Sequence, residues 1–323
     1  MNSGMDLGFN EDQEAIRATI DRFCAQHATE DLARQSGQPF PRALWRQLAE
    51  LGAFSPVAPG SNEAGGALEV CAISESLGHH VFPGPIGATY LAIQVLDPDE
   101  ATALIDGHSL VSLSSTDSTL LPWGTEADLF LIVSESDIAL AHAPDYIEPV
   151  PTLGGETWGR ALLKIERNLP DARRGLIIGN ISTAAYLASA AWHLINDASE
   201  HAATRKQFKK TLGKFQAVAH PLADCAIGVT AAQTLARVAA CSFDGAGTGD
   251  LHQASCLAAG AVMSARRASL NAAFVCHQVF AGIGITLEGP VFHIARRIRQ
   301  LVSTPPSDKR EQNLLLAAAG LGV

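Results

Sequence analysis

One short stretch of this chain holds side chains that together suit a flat, phosphate-bearing ligand. Arg205, Gln207 and Phe208 stand close together in the segment HAATRKQFKKTLGKFQAVAHPLADC, residues 201–225. A guanidinium group pairs bidentately with phosphate oxygens, and an aromatic ring stacks on a flat ring system. The alternative is a solvated turn, in which Arg205 and the nearby lysines face water while Phe208 and Phe215 anchor the backbone. The residues of this stretch alone leave both interpretations open.

Long helices must position this stretch. Apolar and small residues recur every three or four positions through three segments, which predicts three helices with alanine-rich seams. Turns at 205–214 and 243–250 would join them into an antiparallel bundle with close helix packing. Pro221 predicts either a kink in the second helix or a later start. The seams are Ile177, Ile181, Ala184, Ala188, Ala191, Ile195 and Ala198; Phe215, Val218, Leu222, Cys225, Val229, Ala232, Ala236 and Ala239; and Leu251, Ala254, Ala258, Ala261, Ala265, Ala268, Ala272 and Val275.

The first half of the chain divides into a helical part and a strand-rich part. Asn10 caps a predicted helix that begins EDQEAIRATIDRF, and Gly52 and Gly78 are predicted to end two later helices. Short apolar runs such as ADLFLIVSES and DIALAHA, separated by Gly, Pro and Asp, predict strands of a modest sheet. We therefore predict a mainly α protein with a small β-domain. Its predicted domains are an N-terminal helical domain (1–107), a middle β-domain (108–169) and a C-terminal helical bundle (170–323).

Composition limits the partners that this chain can have. With 323 residues, 17% of them charged and 47% apolar, it fits a soluble, helix-rich, oligomeric protein. A net charge of -10 argues against nucleic acid as the main partner. Six single cysteines without metal-ligand spacing predict reduced core residues and no metal site. No signal-peptide or membrane-span pattern is evident, so we expect a cytoplasmic protein that does not bind membranes.

Two motifs of the last part resemble signatures of the flavin-dependent acyl-CoA dehydrogenases. The stretch from Arg205 onward resembles their RxQFGxPIxxFQxxxHxLAD pattern. QVFAGIGITLE, residues 278–288, is similar to their QxxGGxGxTxE pattern, and Arg296, Arg297 and Arg299 follow it as in the family's arginine-rich helix. The earlier segments LAELGAFSPVAPGSNEAGG and SESLGHHVFPGP are also similar to family landmarks. Such landmarks, in the family's order, cover most of the chain.

This resemblance implies both a fold and a chemistry. The fold would be a helical N-terminal domain, a small β-domain and a C-terminal four-helix bundle, assembled as dimers or dimers of dimers. FAD would lie at a subunit interface, and the substrate would be an acyl-CoA thioester. In this family a glutamate removes the α-proton and the flavin accepts the β-hydride, so that the protein supplies geometry and a tuned base. The electrons would pass to an electron-transfer flavoprotein or a similar acceptor.

The resemblance assigns cofactor contacts residue by residue. Arg205, Gln207 and Phe208 match positions that reach across the dimer interface to the pyrophosphate and adenosine of the partner's FAD. A second contact of this kind is matched by Gln278, Gly282 and Gly284, where missing side chains let backbone approach the cofactor. Two residues depart from the pattern, since Lys209 and Ala281 stand where the family has glycine. Each either crowds the cofactor or is absorbed by a small backbone shift.

The catalytic half of the family pattern is not recognisable. The family's base lies in a Tyr-Glu-Gly-Thr-like turn or near the start of the first bundle helix, where this chain reads QLVSTPPSDKREQ and PDARRGLI. Glu288 is a weak candidate for the base; its alternative role is structural, paired with the nearby arginines. WGT at Trp123 is a weak match to a flavin-contacting strand, so the flavin-facing surface of the short β-domain is predicted to be reduced or absent. Surface charges without a catalytic role are predicted for Glu166, Asp171, Glu200 and Glu311.

The chain keeps the motifs that match contacts to the adenosine side of FAD but has no recognisable base. In this it resembles the short subunit of heterotetrameric (α2β2) acyl-CoA dehydrogenases of steroid degradation. The resemblance implies a catalytic partner subunit that supplies the glutamate and the isoalloxazine pocket, acting on a bulky acyl-CoA such as a steroid-derived thioester. Two alternatives stay open. One is a self-sufficient homodimeric dehydrogenase with an unconventional base, and the other is a flavin-free scaffold subunit.

Overall fold

The computed structural model describes residues 7–27, 31–32, 39–58, 65–135, 137–153, 155–170, 172–247 and 249–321. Within them, helices come first, strands follow and long helices complete the chain. The predicted fold class, mainly α with a small β-domain, is confirmed. The helices before the strands are α1 (Glu11–Gln26), α2 (Arg42–Glu50), α3 (Ala67–His79), α4 (Ile86–Val95) and α5 (Pro98–Ile105).

The predicted start of α1 is confirmed by its cap. The Asn10 side chain accepts a hydrogen bond from the Gln13 backbone N–H at 2.8 Å, and the Gln13 side chain accepts one from the Asn10 N–H at 3.0 Å. This reciprocal pair satisfies N–H groups that have no partner within the helix. Gln13 also donates to Glu69 of α3 at 2.9 Å, so the cap fixes α1 against its neighbour.

Glycine plays two different roles at the ends of the early helices. Gly52 follows α2 with a φ of +80°, the left-handed conformation predicted for it. The prediction that Gly78 ends a helix is wrong, because α3 continues through it to His79. A Cβ at Gly78 would lie 2.2 Å from the backbone oxygen of Tyr186. This glycine therefore serves the close approach of two helices and not the end of one.

The strands form two small sheets. They are β1 (Val111–Ser115), β2 (Leu120–Leu121), β3 (Leu129–Val133), β4 (Ile138–His142), β5 (Glu148–Val150), β6 (Trp158–Arg160) and β7 (Lys164–Asn168). One sheet has the order β1-β3-β4-β7, in which only β1 and β3 run parallel; the other has the antiparallel order β2-β6-β5. The apolar runs of β1, β3 and β4 are buried, as continuous hydrophobic strands should be.

The predicted bundle is present. Its long helices are α6 (Ala172–Thr204), α7 (Gln216–Ala246) and α8 (His252–Phe280), followed by α9 (Pro290–Val302) and α10 (Asp308–Ala318). Most residues of the three predicted seams are buried, and small side chains let the helices pack closely. Helix α7 begins at Gln216 and continues through Pro221, so a later start at this proline is wrong.

The β-sheets are fixed to the bundle by a buried ion pair. Glu156, just before β6, lies 2.8 Å from the guanidinium group of Arg297 on α9, with 4% and 6% of the two side chains exposed. One apolar core also runs from the early helices through β1, β3 and β4 into the bundle. The secondary structure changes after Ile105 and after Asn168, but the domain boundaries given above stay a prediction.

Two segments, Gln216–Ala246 and His252–Ile285, are long and apolar enough to cross a membrane, although the sequence pattern predicted none. Core helices of folded proteins meet the same criterion. Both segments pack through buried alanines against their bundle neighbours, so their apolar character already has a role within the fold.

Candidate functional site

The motif with Arg205 forms a small β-hairpin between α6 and α7. Strand β8 (Lys206–Gln207) pairs with β9 (Lys210–Thr211), and Phe208 and Lys209 form the turn with φ values of +49° and +67°. Two successive left-handed residues are typical of a type I′ turn, which favours glycine. This explains why the family pattern has glycine at position 209. The side chain of Lys209 is exposed, so the lysine does not crowd this chain itself.

The ring of Phe208 is 86% exposed at the tip of the hairpin. It meets half-buried Phe215 edge to face, with ring centroids 6.3 Å apart. Arg205 and Gln207 are exposed beside it. Phe215 anchors the turn, but the alternative in which Phe208 also anchors it is wrong. The exposed ring is therefore free to contact another molecule, for which an aromatic side chain offers a large flat apolar face.

The second motif lies at the same end of the bundle. Phe280, at the end of α8, stacks on His201 of α6 with centroids 4.4 Å apart and planes at 24°. His201 is one helical turn before Arg205, whose N–H donates to the His201 oxygen at 2.9 Å. Burial and the nearby Arg205 charge lower the pKa of His201. The fold thus brings residues 205–208 and the segment after residue 278 to one end of the bundle.

The residues of the second motif differ in exposure. Gln278 is exposed, and a Cβ at exposed Gly282 would meet nothing within 4 Å, so other groups can approach there. Gly284 is buried, and its Cβ would lie 3.0 Å from the His277 oxygen, so this glycine serves packing within the chain. Ala281 takes a φ of +53° with a ψ of -130°, which strains a residue that carries a Cβ.

Glu288 lies exposed at the surface, beyond the same turn. Its own backbone N–H and the Thr286 hydroxyl group hold the pKa of its carboxyl below the ordinary value. The predicted pairing of Glu288 with the arginines of α9 is wrong, since no ion pair or arginine charge acts on Glu288 within the described part of the chain, and Arg297 pairs with Glu156 instead. A lowered pKa and an exposed position make Glu288 a poor proton acceptor.

A cavity that is partly open to solvent lies between α4, α6, the β-domain and residues 301–306. Its lining includes Trp123 of the predicted flavin-contacting strand. The hydroxyl groups of the lining are those of Thr183, Tyr186 and Thr304, and none of the lining residues within the described ranges carries a carboxylate or an imidazole. Tyr186 donates to the Phe82 oxygen at 2.8 Å, and burial raises its pKa. The cavity therefore offers apolar walls and no proton acceptor.

The carboxylates predicted as surface charges behave differently from one another. Glu166 is exposed beside His142, and Glu200 is also exposed, as predicted. The prediction for Glu311 is wrong: its side chain is buried and lies 2.6 Å from Arg310, which reaches the backbone of the β-domain. Asp171 lies outside the described residues. The lining of the cavity does not include Glu311.

One residue of the hairpin was not among the sequence-predicted site residues. The ammonium group of Lys210 lies 4.0 Å from the ring centroid of Phe215. Lys210 is also paired directly with Gln207 across the hairpin. The signal was available in the spacing, since two turn residues between Gln207 and Lys210 fit a two-residue hairpin.

Several large apolar side chains of the hairpin, of α7 and α8 and of the turn after α8 are exposed. The Asn271 amide lies 3.3 Å from the Cys225 sulfur, so the middle parts of these two helices adjoin. We call the exposed apolar side chains the bundle-end surface; they are those of Phe208, Ile227, Leu270, Phe274, Ile283, Ile285 and Leu287. Such a collection of large apolar groups in water is typical of a protein interface.

Comparison with known proteins agrees with this architecture. Residues 10–95 match the family profile "Acyl-CoA dehydrogenase, N-terminal domain", and residues 169–302 match "Acyl-CoA dehydrogenase, C-terminal domain". The chain therefore belongs to the acyl-CoA dehydrogenase family, as its motifs predict.

Particular relatives can be named. Acyl-CoA dehydrogenase IpdE2 of Mycobacterium tuberculosis is 28% identical over 241 residues, which cover 70% of this chain and 74% of that protein. A chain of the ChsE4-ChsE5 complex from M. tuberculosis has a TM-score of 0.78 at 21% identity, with 98% of each chain covered. The Tcur3481-Tcur3483 steroid ACAD variant has a TM-score of 0.78 at 21% identity, covering 98% of this chain and 99% of that one.

Membership of the family makes this chain an oxidoreductase of the acyl-CoA dehydrogenase class. The prediction of FAD as the cofactor is confirmed, because members of the acyl-CoA dehydrogenase family bind FAD, and solved structures similar to this chain include complexes with FAD.

Proposed function

We propose that this chain is the non-base-bearing subunit of a heteromeric FAD-dependent acyl-CoA dehydrogenase. In this proposal the hairpin around Arg205 completes a FAD site that belongs mainly to a catalytic partner subunit. The partner supplies the glutamate that removes the α-proton. Bound flavin would be the hydride acceptor for the β-hydrogen.

The observation that carries the proposal is the exposed, basic, aromatic hairpin. Phe208 projects into water, and within the described part of the chain no carboxylate pairs with Arg205 or with the hairpin lysines. A guanidinium group and an exposed ring fit a pyrophosphate and an adenine, respectively. The bundle-end surface beside the hairpin supplies apolar area for the subunit that holds the cofactor.

The cavity supports the division of labour between two subunits. A dehydrogenase needs a base within hydrogen-bond reach of the α-proton. Among the described residues that line the cavity around Trp123 there is none, and the Tyr186 phenol in that lining already donates to Phe82. An apolar cavity without a base suits a subunit that does not supply the proton-accepting carboxylate.

Two structural neighbours support a finer proposal. One structural neighbour belongs to the ChsE4-ChsE5 complex, and another is described as a steroid ACAD. We therefore propose an α2β2 heterotetramer that oxidises a bulky acyl-CoA such as a steroid-derived thioester in the cytoplasm. An electron-transfer flavoprotein or a similar protein would accept the electrons.

The proposal is tested by purifying the chain alone and together with the acyl-CoA dehydrogenase subunit encoded beside its gene. Flavin absorbance and dehydrogenation of an acyl-CoA are then measured for both preparations. We expect flavin and turnover only in the pair. Stoichiometric flavin and turnover in the lone chain would establish the self-sufficient homodimer instead, and a pair without flavin would establish the scaffold.

The role of Arg205 has a separate test. Arg205→Ala should weaken FAD retention by the assembled pair, because a charge-assisted Arg–phosphate pair contributes about 1.5–3 kcal/mol, or roughly 10- to 150-fold in Kd. Arg22→Ala, which removes an exposed arginine on α1, is the matched control and should leave FAD affinity unchanged. Equal FAD affinity in the two variants would remove Arg205 from the site.

A further inference from the structure

The register of the hairpin sorts its cations onto two faces. Residues directly paired across two antiparallel strands share a face, as do residues two apart along one strand. Gln207 is paired with Lys210, and Lys206 with Thr211. The ladder continues to Arg205, whose oxygen accepts from the Leu212 N–H at 2.9 Å. Arg205, Gln207 and Lys210 therefore share one face, and Lys206 lies on the other.

Lys210 is also the hairpin lysine whose ammonium group is held in place by an aromatic ring. The nitrogen lies 4.0 Å from the Phe215 centroid, a distance at which the ring attracts a cation. The same ring supports Phe208 edge to face. No ion pair engages Lys210 within the described part of the chain, so its three N–H donors have no carboxylate to neutralise them.

We propose that Lys210 is a third phosphate-binding side chain of the hairpin, and that it binds the same pyrophosphate as Arg205 and Gln207. The family pattern leaves this position variable, so the assignment comes from the strand register and the Phe215 contact. The inference rests on the proposed function, because the pyrophosphate is that of the partner's FAD. Lys206, on the opposite face, would take no part in binding.

The test compares Lys210→Gln with Lys206→Gln in the assembled pair of subunits. The Kd for FAD is measured by titrating flavin-depleted complex with FAD and following flavin fluorescence. We expect Lys210→Gln to raise the Kd about tenfold, the effect of one charge-assisted hydrogen bond of about 1.4 kcal/mol. Lys206→Gln should change it less than about twofold, and Lys210→Arg should retain affinity because it keeps the charge.

Two comparisons separate this inference from the proposed function. If Arg205→Ala weakens FAD binding while Lys210→Gln does not, the Lys210 assignment is wrong and the proposed function stands. If neither variant weakens it, both fail. An equal loss in Lys210→Gln and Lys206→Gln would show a general attraction of the basic hairpin and would also overturn the assignment. Co-purification of the partner and an unchanged unfolding temperature establish that each variant is folded and assembled.

Discussion

Replacing Glu156 with Gln should destabilise the chain far more than its position in a loop implies. Its carboxylate lies 2.8 Å from Arg297, and both side chains are more than nine-tenths buried. Burial lowers the pKa of nearby Arg296, and the charge of Glu156 opposes that effect. Glu156→Gln would therefore leave a buried guanidinium group without its counter-charge. Breaking a buried pair in this way typically costs about 3–5 kcal/mol.

The assay is denaturant unfolding followed by circular dichroism, with Glu148→Gln as the matched control. Glu148 is a carboxylate of the same β-domain that is 58% exposed and 3.7 Å from Arg160, so its loss should cost less than about 1 kcal/mol. The double variant Glu156→Gln with Arg297→Met should recover part of the loss, because the guanidinium group that loses its counter-charge is then removed as well. Equal effects of Glu156→Gln and the control, or strictly additive effects in the double variant, would refute the account of this ion pair.

Three further predictions concern stability. Gly78→Ala should lower the free energy of unfolding by about 2 kcal/mol, because the added Cβ meets a carbonyl oxygen of α6. Gly245→Ala, in open space on α7, should not lower it, and urea unfolding of the two variants compares them. Ala281→Gly should raise the unfolding midpoint by relieving about 2 kcal/mol of strain against about 1 kcal/mol of added chain entropy. Burial alone would raise the pKa of Asp21, but hydrogen bonds to His80 and Ser76, together with the charges of His80 and Arg17, outweigh it and keep the pKa below 3.8. The stability that Asp21→Asn removes should therefore be present above pH 3.8 and vanish as the pH falls through the lowered pKa, as unfolding at several pH values would show.

Local patterns predicted the helices and the order of the three parts because their signals lie within one turn or one strand. The Asn10 cap and the alanine seams of the bundle are signals of this kind. Gly78 misled the prediction because its neighbour, Tyr186, is more than 100 residues away and only the fold brings them together. A short-range pattern cannot distinguish a glycine that ends a helix from one that lets two helices touch.

Charged residues were the least predictable part. Glu311 and Glu156 have no local motif, and both are buried because a distant or neighbouring arginine compensates them. Burial of a carboxylate depends on that partner and not on its own sequence context. The candidate site shows the same difference between local and distant signals. Arg205 and Phe208 lie in one local motif that the sequence reveals, whereas the residues that line the cavity come from distant parts of the chain and are known only from the fold.

The most direct test of the central claim is an experimental structure of the chain together with its partner subunit and FAD. The account predicts that the β-domain of the partner covers the isoalloxazine ring, with Arg205 of this chain at the pyrophosphate. A flavin ring bound instead in this chain's own cavity, beside Trp123, would contradict it.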